Sequence, residues 1–215
     1  MNRIHILILL FLSLTPIFMM ASDEKDKAPK KDYLFTLTTR LGEISFILYD
    51  QTPKHKANFL RLVEEEFYDS TTFHRVINNF MIQGGDPASK PDGVAAPVPS
   101  SPAGWNDTNS VEAEILPALS HKRGAVAGAR MGDGINPERR SSITQFYIVQ
   151  NPTGTPHLDG AYTVYGEVLA GMDVVDAIAK ERTDRAGKPY EDIRMSITVK
   201  KMSRKKIEKE FGEVY

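Results

Sequence analysis

The sequence predicts a mainly β protein built as an antiparallel barrel with two helices. Three observations support this fold class: many short segments alternate apolar and polar residues, only two segments show helical spacing, and turn residues separate the segments. A parallel sheet would need a crossover helix between successive strands, which this chain does not offer. With 215 residues, 41% of them hydrophobic, the chain is large enough for one well-buried core.

A pair of strands followed by a helix opens the folded region. Residues 33–39 and 43–50 alternate apolar and polar side chains, and a turn lies between them. Thr52 and Pro53 then suit a helix N-cap and first helical position, and apolar residues recur at helical spacing as far as Tyr68. We therefore expect two half-buried antiparallel strands and one amphipathic helix.

The rest of the folded region is predicted as short strands and a second helix. Apolar residues at helical spacing predict that helix over residues 172–179, and strict alternation predicts the last strand over residues 193–200. The other predicted strands cover residues 71–77, 80–83, 124–127, 145–150 and 162–168.

Two segments do not read as barrel strands. Residues 87–109 are rich in Pro, Ala, Ser and Gly and predict a long surface loop, in which Trp105 has no packing pattern and could cover part of a groove. The charged tail, residues 203–215, has Ile207 and Phe211 four positions apart. This spacing leaves open a short helix against the barrel or a frayed end.

The N-terminus has the pattern of a secretory signal peptide. Arg3 precedes an apolar stretch over residues 6–20, which is short for a membrane span and contains Pro16. We predict a signal peptide over residues 1–21 and a flexible polar leader over residues 22–31, with an uncleaved anchor as the alternative. The expected location is the periplasm of a bacterium, without stable membrane insertion once the signal is removed.

Composition and missing motifs remove several classes of function. The formal net charge of −1 offers no global attraction for nucleic acid or an anionic membrane, and without cysteine the chain forms no disulfide or thiolate metal site. Phosphate-binding, dinucleotide-binding, nucleophile-elbow and zinc-protease motifs are missing, so we expect no cofactor and no metal. The histidines lack metal-ligand spacing and are interpreted as surface or turn residues: His5, His55, His74, His121 and His157.

One arginine stands out because it lies between apolar residues of a predicted strand. Period-two geometry places Phe73, Arg75 and Ile77 on one face, and likewise Met81 and Gln83 on one face of the next strand. Spacing alone leaves two interpretations of Arg75: a structural ion pair or rim charge, or a cation held in a binding cleft.

Three sequence blocks resemble the cyclophilin family of peptidyl-prolyl isomerases. From Phe73 the chain reads F-H-R-V-I-N-N-F-M-I-Q-G-G-D, and Gln145-Phe-Tyr-Ile and Leu158-Asp-Gly follow downstream. The resemblance covers residues 32–202, which we take as the isomerase domain. It implies a closed eight-stranded antiparallel barrel capped by two α-helices, catalysed rotation about Xaa-Pro bonds, and proline-containing unfolded or extended polypeptides as partners. We expect a monomer that assists the folding of exported proteins.

The same resemblance assigns roles to individual residues. It makes Arg75 the catalytic arginine, and it implies that Gln83 and Gln145 hold the substrate backbone. The other substrate-binding residues that it implies line the proline pocket or flank the peptide groove: Phe80, Met81, Ala129, Arg130, Tyr147, Leu158 and Tyr162.

A few positions depart from the family pattern. His157 stands where cyclosporin-sensitive members commonly have tryptophan, which puts tight cyclosporin binding in question. Asn78-Asn79 replaces the usual Pro-Gly and is expected to form the same kind of tight turn. Ile143-Thr144 precedes Gln145 where Gly-Ser is usual.

Two other classes of function stay open at the level of sequence. A non-enzymatic chaperone module would hold proline segments in the same groove without useful rotation. An assembly scaffold would place its function in the loop of residues 87–109 or in the charged tail. Peptide binding and isomerisation, measured on one peptide, separate the chaperone module from an enzyme, and turnover after deletion of the loop separates the scaffold from an enzyme.

Overall fold

The computed structural model describes residues 30–94, 106, 108–212 and 214. The predicted signal peptide, nearly all of the predicted leader, and Trp105 lie outside these residues. Within the described ranges, no helix is both long enough and apolar enough to cross a bilayer.

The described residues form ten strands, eight of which build one antiparallel sheet. That sheet has the order β10-β1-β2-β9-β6-β8-β4-β3, and β5 pairs only with β7. The strands are β1 (Lys31–Thr39), β2 (Gly42–Leu48), β3 (Phe73–Ile77), β4 (Met81–Gly84), β5 (Ser110–Val111), β6 (Ala125–Gly128), β7 (Ser141–Ser142), β8 (Phe146–Val149), β9 (Val164–Ala170) and β10 (Met195–Ser203). The predicted eight-stranded antiparallel architecture is therefore confirmed, although β10 begins and ends later than expected.

The sheet is an open half-barrel, so the prediction of a closed barrel is wrong. β10 and β3 are edge strands, and a single bridge between Thr72 and Arg194 joins their ends. Beyond that bridge the outer edge of β3 is taken by a loop, since Val76 N–H donates to the Gly187 carbonyl at 2.7 Å. A continuous ladder to β10 cannot form where that loop occupies the donors and acceptors.

Three helices pack on the sheet where two were expected. They are α1 (Pro53–Glu64), α2 (Met172–Ala179) and α3 (Arg204–Phe211). α3 answers the open question about the tail: the Ser203 hydroxyl caps it by accepting from Lys206 N–H, and Ile207 is fully buried. α1 ends before the predicted Tyr68, because Glu66 adopts a positive φ of 54° that a helix cannot continue.

The N-terminus of α1 lacks the predicted side-chain cap. Thr52 precedes Pro53 as expected, but its hydroxyl donates to the Tyr49 carbonyl at 3.3 Å and does not bond to the helix. The proline at the first helical position has no N–H to satisfy, which lessens the need for a cap.

Three hydrophobic clusters pack on the sheet, and the smallest contains Ile207 of α3. The other two lie on opposite faces of the sheet. We call them the inner cluster, which packs against α1 and α2 and contains Val76 and Phe146, and the outer cluster, which contains Met81 and Tyr147. Successive side chains of a strand point to opposite faces, so β4, β6, β8 and β9 each contribute to both clusters. Phe73 belongs to the inner cluster, contrary to the prediction, because a register shift between Phe73 and Arg75 interrupts the alternation.

Candidate active site

A small pocket opens on the outer face of the sheet and gathers most of the predicted site residues. Its volume is about 120 Å³. Its lining contains every substrate-binding residue named above except Gln145: Arg75, Phe80, Met81, Gln83, Ala129, Arg130, Tyr147, Leu158 and Tyr162.

The strand register explains why residues distant in sequence meet in this pocket. Arg75 on β3 is paired with Gln83 on β4, and Gln83 is paired in turn with Tyr147 on β8. Directly paired residues project to the same face of a sheet, so the three side chains form a row across the strands. The pocket is therefore a product of β pairing and needs no local motif.

The row continues as a chain of polar contacts. Arg75 Nη1 donates to Gln83 Oε1 at 3.3 Å, and Gln83 Nε2 donates to Gln145 Oε1 at 3.0 Å. A guanidinium can only donate, which fixes the Gln83 oxygen on the Arg75 side. Gln145 therefore joins the site through Gln83, although it does not line the pocket.

The positive charge of the Arg75 guanidinium is not neutralised by a neighbouring acid among the described residues. Among the residues that the structure describes, no carboxylate forms an ion pair with Arg75, and its one side-chain hydrogen bond goes to a neutral amide. Arg75 is only partly buried and has five donors. The interpretation of Arg75 as a structural ion pair is therefore wrong, and free donors remain beside the pocket.

A turn and a stacked ring close one end of the pocket. Asn79 adopts a positive φ of 60° next to Asn78, so the expected tight turn forms and leads Phe80 into the lining. The exposed ring of His157 stacks on Phe80 with centroids 5.8 Å apart. His157 thus supports the rim, although it is not itself part of the lining.

Arg130 fixes the opposite wall. Its guanidinium lies over the ring of Tyr162 at 4.4 Å, Nε donates to the Ala161 carbonyl at 2.7 Å, and Nη1 pairs with Asp133 at 2.7 Å. These partners hold the guanidinium against the Tyr162 ring, so Arg130 acts as a support for Tyr162. The hydrogen bond from Arg130 is also the main reason that the pKa of Asp133 lies below its usual value.

A buried histidine that the sequence analysis interpreted as a surface residue lies behind the pocket. His121 Nδ1 is 2.7 Å from Asp159 Oδ1, and His121 Nε2 is 2.8 Å from the Tyr147 hydroxyl. Burial lowers the pKa of His121 below 6.5, despite the opposing hydrogen bond to Asp159. In the neutral ring Nδ1 donates to the carboxylate, so Nε2 accepts from Tyr147 and holds this pocket wall in place.

The same network shifts the other two groups. Burial acts to raise the pKa of Asp159, but the hydrogen bonds from the His121 backbone and ring hold it below 3.8. Burial raises the pKa of the Tyr147 hydroxyl well above 10.0, which keeps it protonated and able to donate. No sequence spacing predicts this contact, because 38 residues separate His121 from Asp159.

A second buried histidine also contradicts the expectation of a surface residue. His55 bonds to Glu114 Oε2 through Nδ1 at 2.7 Å and to Ser141 Oγ through Nε2 at 2.9 Å. The order of groups matches a serine hydrolase triad, but Ser141 is only 1% exposed. A methyl group on Gly128 would stand 2.6 Å from that Oγ, so no substrate reaches it. This triad ties α1 to β7 and has a structural role.

Two larger cavities contain at most one of the predicted site residues, Arg75. One, of about 360 Å³, lies between Tyr49, Lys122 and Arg204, and the other, of about 570 Å³, adjoins Arg75 from the side of α2. No group of three or more potential metal ligands occurs among the described residues. We therefore place the candidate active site in the smaller pocket, where a ring-sized apolar hollow meets free donors.

The arrangement of these side chains is that of a peptide-binding site. A shallow apolar pocket with an uncompensated guanidinium and two amides can bind an extended peptide and polarise its backbone, and none of the described lining residues is a Ser, Thr, Cys or Lys that could act as a nucleophile. The model of the family described as "Cyclophilin type peptidyl-prolyl cis-trans isomerase/CLD" matches residues 34–199. The chain belongs to the cyclophilin-type peptidyl-prolyl cis-trans isomerase family.

Similar proteins cover most of the chain. Peptidyl-prolyl cis-trans isomerase CYP18-1 of Arabidopsis thaliana is 36% identical over 163 residues, which are 75% of this chain and 91% of that protein. Peptidyl-prolyl cis-trans isomerase cypE of Dictyostelium discoideum is 38% identical over 161 residues, 74% of this chain and 92% of that protein.

A solved structure shares the fold. The Cryptosporidium parvum cyclophilin type peptidyl-prolyl cis-trans isomerase superposes with a TM-score of 0.64 at 26% identity and covers 79% of this chain and 98% of its own. A second crystal structure of that protein was determined in the presence of the dipeptide Ala-Pro and has a TM-score of 0.62.

Proposed function

We propose that the protein catalyses cis-trans rotation about Xaa-Pro peptide bonds in extended polypeptides, with Arg75 as the catalytic residue. One observation carries the proposal: the Arg75 guanidinium has free donors beside an apolar pocket that can hold a proline ring. Membership of the isomerase family supports the reaction, and the Ala-Pro dipeptide used with the Cryptosporidium parvum relative supports the substrate class.

The mechanism follows from the electronic structure of the imide bond. Nitrogen shares its lone pair with the carbonyl, which gives a rotation barrier of about 18–20 kcal/mol. Twisting the bond returns the lone pair to the prolyl nitrogen, and a donor next to that nitrogen then gains a hydrogen bond that neither planar isomer offers. Arg75 supplies such a donor without losing a proton, so no bond forms or breaks and no cofactor takes part.

The remaining residues hold the two halves of the substrate differently. Phe80, Met81 and Leu158 offer an apolar surface that holds the proline ring in place. Gln83 and Gln145 present amide groups at the pocket edge that bind the backbone of the flanking residues. Holding the ring while the chain turns concentrates the interaction in the twisted state, which is the condition for catalysis.

Arg75→Ala tests the catalytic assignment. Loss of one preorganised donor costs about 2.7–4 kcal/mol of activation free energy, so kcat/KM is expected to fall about 10²- to 10³-fold. Exchange spectroscopy on an Ala-Pro peptide at catalytic protein concentrations measures rotation directly. Circular dichroism and the thermal midpoint verify that the variant is folded.

Arg61→Ala is the matched control. Arg61 is an exposed arginine on α1 whose ion pair with Glu65 at 2.7 Å lies outside the pocket, and such pairs contribute about 0.3–0.5 kcal/mol. Equal turnover by Arg75→Ala and Arg61→Ala would remove Arg75 from catalysis. Peptide binding without any acceleration by the parent protein would instead favour the non-enzymatic chaperone module.

We further propose that the protein is exported to a bacterial periplasm and assists the folding of exported proteins as a monomer. Support comes from Arg3 followed by the apolar residues 6–20. Intact-mass measurement on the periplasmic fraction should give a protein that lacks residues 1–21. Full-length protein in the membrane fraction supports the uncleaved anchor, and light scattering of the purified protein tests the monomer.

A further inference from the structure

The larger groove beside Arg75 adjoins the proline pocket and shares one lining residue with it. Arg75 lines both, and the groove also takes in Ile77 and Asn78 of the turn that carries Phe80. Its far side is formed by the end of α2 and by a loop, residues 183–187. A peptide whose proline occupies the pocket therefore has a path past Arg75 into a second cavity of about 570 Å³.

The loop on the far side is held firmly in place. Gly187 accepts from Val76 N–H at 2.7 Å and adopts a φ of +87°, and a methyl group there would stand 3.2 Å from the Val76 carbonyl. Asp184 Oδ1 accepts from the backbone N–H of Ala186 at 2.8 Å and of Lys188 at 2.9 Å. The groove thus has a preorganised wall, which limits the entropy lost on binding.

The charges that face the groove are unequally compensated. Of its two carboxylates, Glu181 is paired with Arg40 at 2.9 Å, and Asp184 is occupied by the loop backbone. Of its cations, Arg185 is exposed, and neither Arg185 nor the partly buried Arg75 forms an ion pair among the described residues.

Lys180 is the third cation on the groove wall. Lys180 is exposed, and its charge lowers the pKa of Asp176 by Coulomb attraction. Asp176 is already paired with Arg123. The groove lining therefore carries three cations and two carboxylates, and one of those carboxylates, Glu181, is already paired with Arg40.

We propose that this groove is a substrate subsite that selects an acidic side chain next to the isomerised proline, with Arg185 as its main determinant and Lys180 as a second. The inference rests on the proposed isomerase function. An extended chain advances about 3.3 Å per residue, so an Asp or Glu one to three positions from the proline can reach Arg185. Exposed ion pairs contribute little each, and the expected preference is about two- to fivefold in kcat/KM.

Matched peptide pairs test the subsite. Each pair carries Glu or Gln at one position, from three residues before to three residues after the proline, and exchange spectroscopy gives kcat/KM for each. The parent protein should favour Glu over Gln on one side of the proline only, and the ratio should approach one in 1 M salt because surface ion pairs are screened. Equal ratios on both sides, or a ratio that ignores salt, would overturn the proposal.

Two charge reversals separate the subsite from general electrostatics. Arg185→Glu should lower the Glu/Gln ratio to one or below, whereas Lys188→Glu, the same change in charge on the same loop but outside the groove, should leave the ratio as in the parent. Equal loss of turnover for Glu and Gln peptides in Arg185→Glu contradicts the subsite. Failure of the parent to rotate even the Gln peptides contradicts the isomerase function instead, so the two outcomes are distinct.

Discussion

The hydrogen bond between Tyr147 and His121 is expected to stabilise the pocket wall, and substitutions of the two residues test this. Tyr147→Phe removes the hydroxyl alone, so the ring stays against Tyr162 while His121 Nε2 loses its donor. His121→Leu removes the acceptor and leaves the Tyr147 hydroxyl unpaired behind the pocket. The double variant removes both partners and leaves neither of these two groups unsatisfied.

The magnitudes follow from the burial of this contact. An unpaired buried polar group costs about 1–3 kcal/mol, so Tyr147→Phe is expected to lower the free energy of unfolding by about 1–2 kcal/mol. His121→Leu costs more, about 2–3 kcal/mol, because it also removes the donor to Asp159, whose 37% exposed side chain then turns to water. The loss of unfolding free energy in the double variant should be about 1 kcal/mol smaller than the sum of the losses in the two single variants.

Urea unfolding followed by circular dichroism measures these free energies, and exchange spectroscopy measures turnover. Tyr147→Phe keeps the ring that lines the pocket, so its kcat/KM should stay within about threefold of the parent value. His121→Leu should raise KM more than it lowers kcat, since the wall is displaced while Arg75 is untouched. Strict additivity of the two substitutions would refute the coupling between His121 and Tyr147.

The pH dependence of stability tests the same hydrogen bonds of His121 independently. Because the pKa of His121 is below 6.5 in the folded protein, the unfolded chain binds a proton first, and stability is lost progressively as pH falls from 6.5 towards the lower folded value. His121→Leu abolishes this contribution, so the stability gap between parent and variant should shrink between pH 7 and pH 5. The neighbouring charges are those of Asp159 and His157, and both side chains remain in the variant. The ring hydrogen bond that helps to hold the pKa of Asp159 below 3.8 is lost in His121→Leu, but Asp159 titrates below the window from pH 7 to pH 5.

Two further predictions concern the frame around the site. Gly85→Ala should lower the free energy of unfolding at least twice as much as Gly160→Ala, whose strain costs about 1 kcal/mol. Both glycines have positive φ, of 83° and 72°, but only at Gly85 would the methyl group meet a backbone atom, 2.4 Å from the Thr144 carbonyl. Asp176→Asn should cost about 1 kcal/mol at pH 7. Because the Arg123 hydrogen bond holds the pKa of Asp176 below 3.8, that cost should vanish as pH falls through the lower folded value. Urea titrations at each pH measure both effects, and a pH-independent Asp176→Asn effect would contradict the second.

Local patterns in the sequence were sufficient for most of the strands and for both predicted helices. Alternation over residues 33–39 and 43–50 depends only on which side chains avoid water, and it located β1 and β2 to within a few residues. The family resemblance, which depends on the sequence block around Arg75, predicted the residues that meet in the pocket. The alternation failed at Phe73, because a bulge depends on the partner strand and leaves no mark in the strand's own sequence.

By itself, the sequence determined an antiparallel β fold, the membership of an isomerase family and the residue types around a proline pocket. Only the tertiary structure decided that the barrel stays open, that His121 and His55 are buried hydrogen-bonding groups, and that Arg75 has no acidic partner among the described residues. The physical reason is the range of the interactions. Hydrophobic periodicity acts within one strand or helix, whereas edge pairing, burial and charge compensation depend on groups that folding brings together from distant parts of the chain, such as Thr72 and Arg194 at the sheet edges.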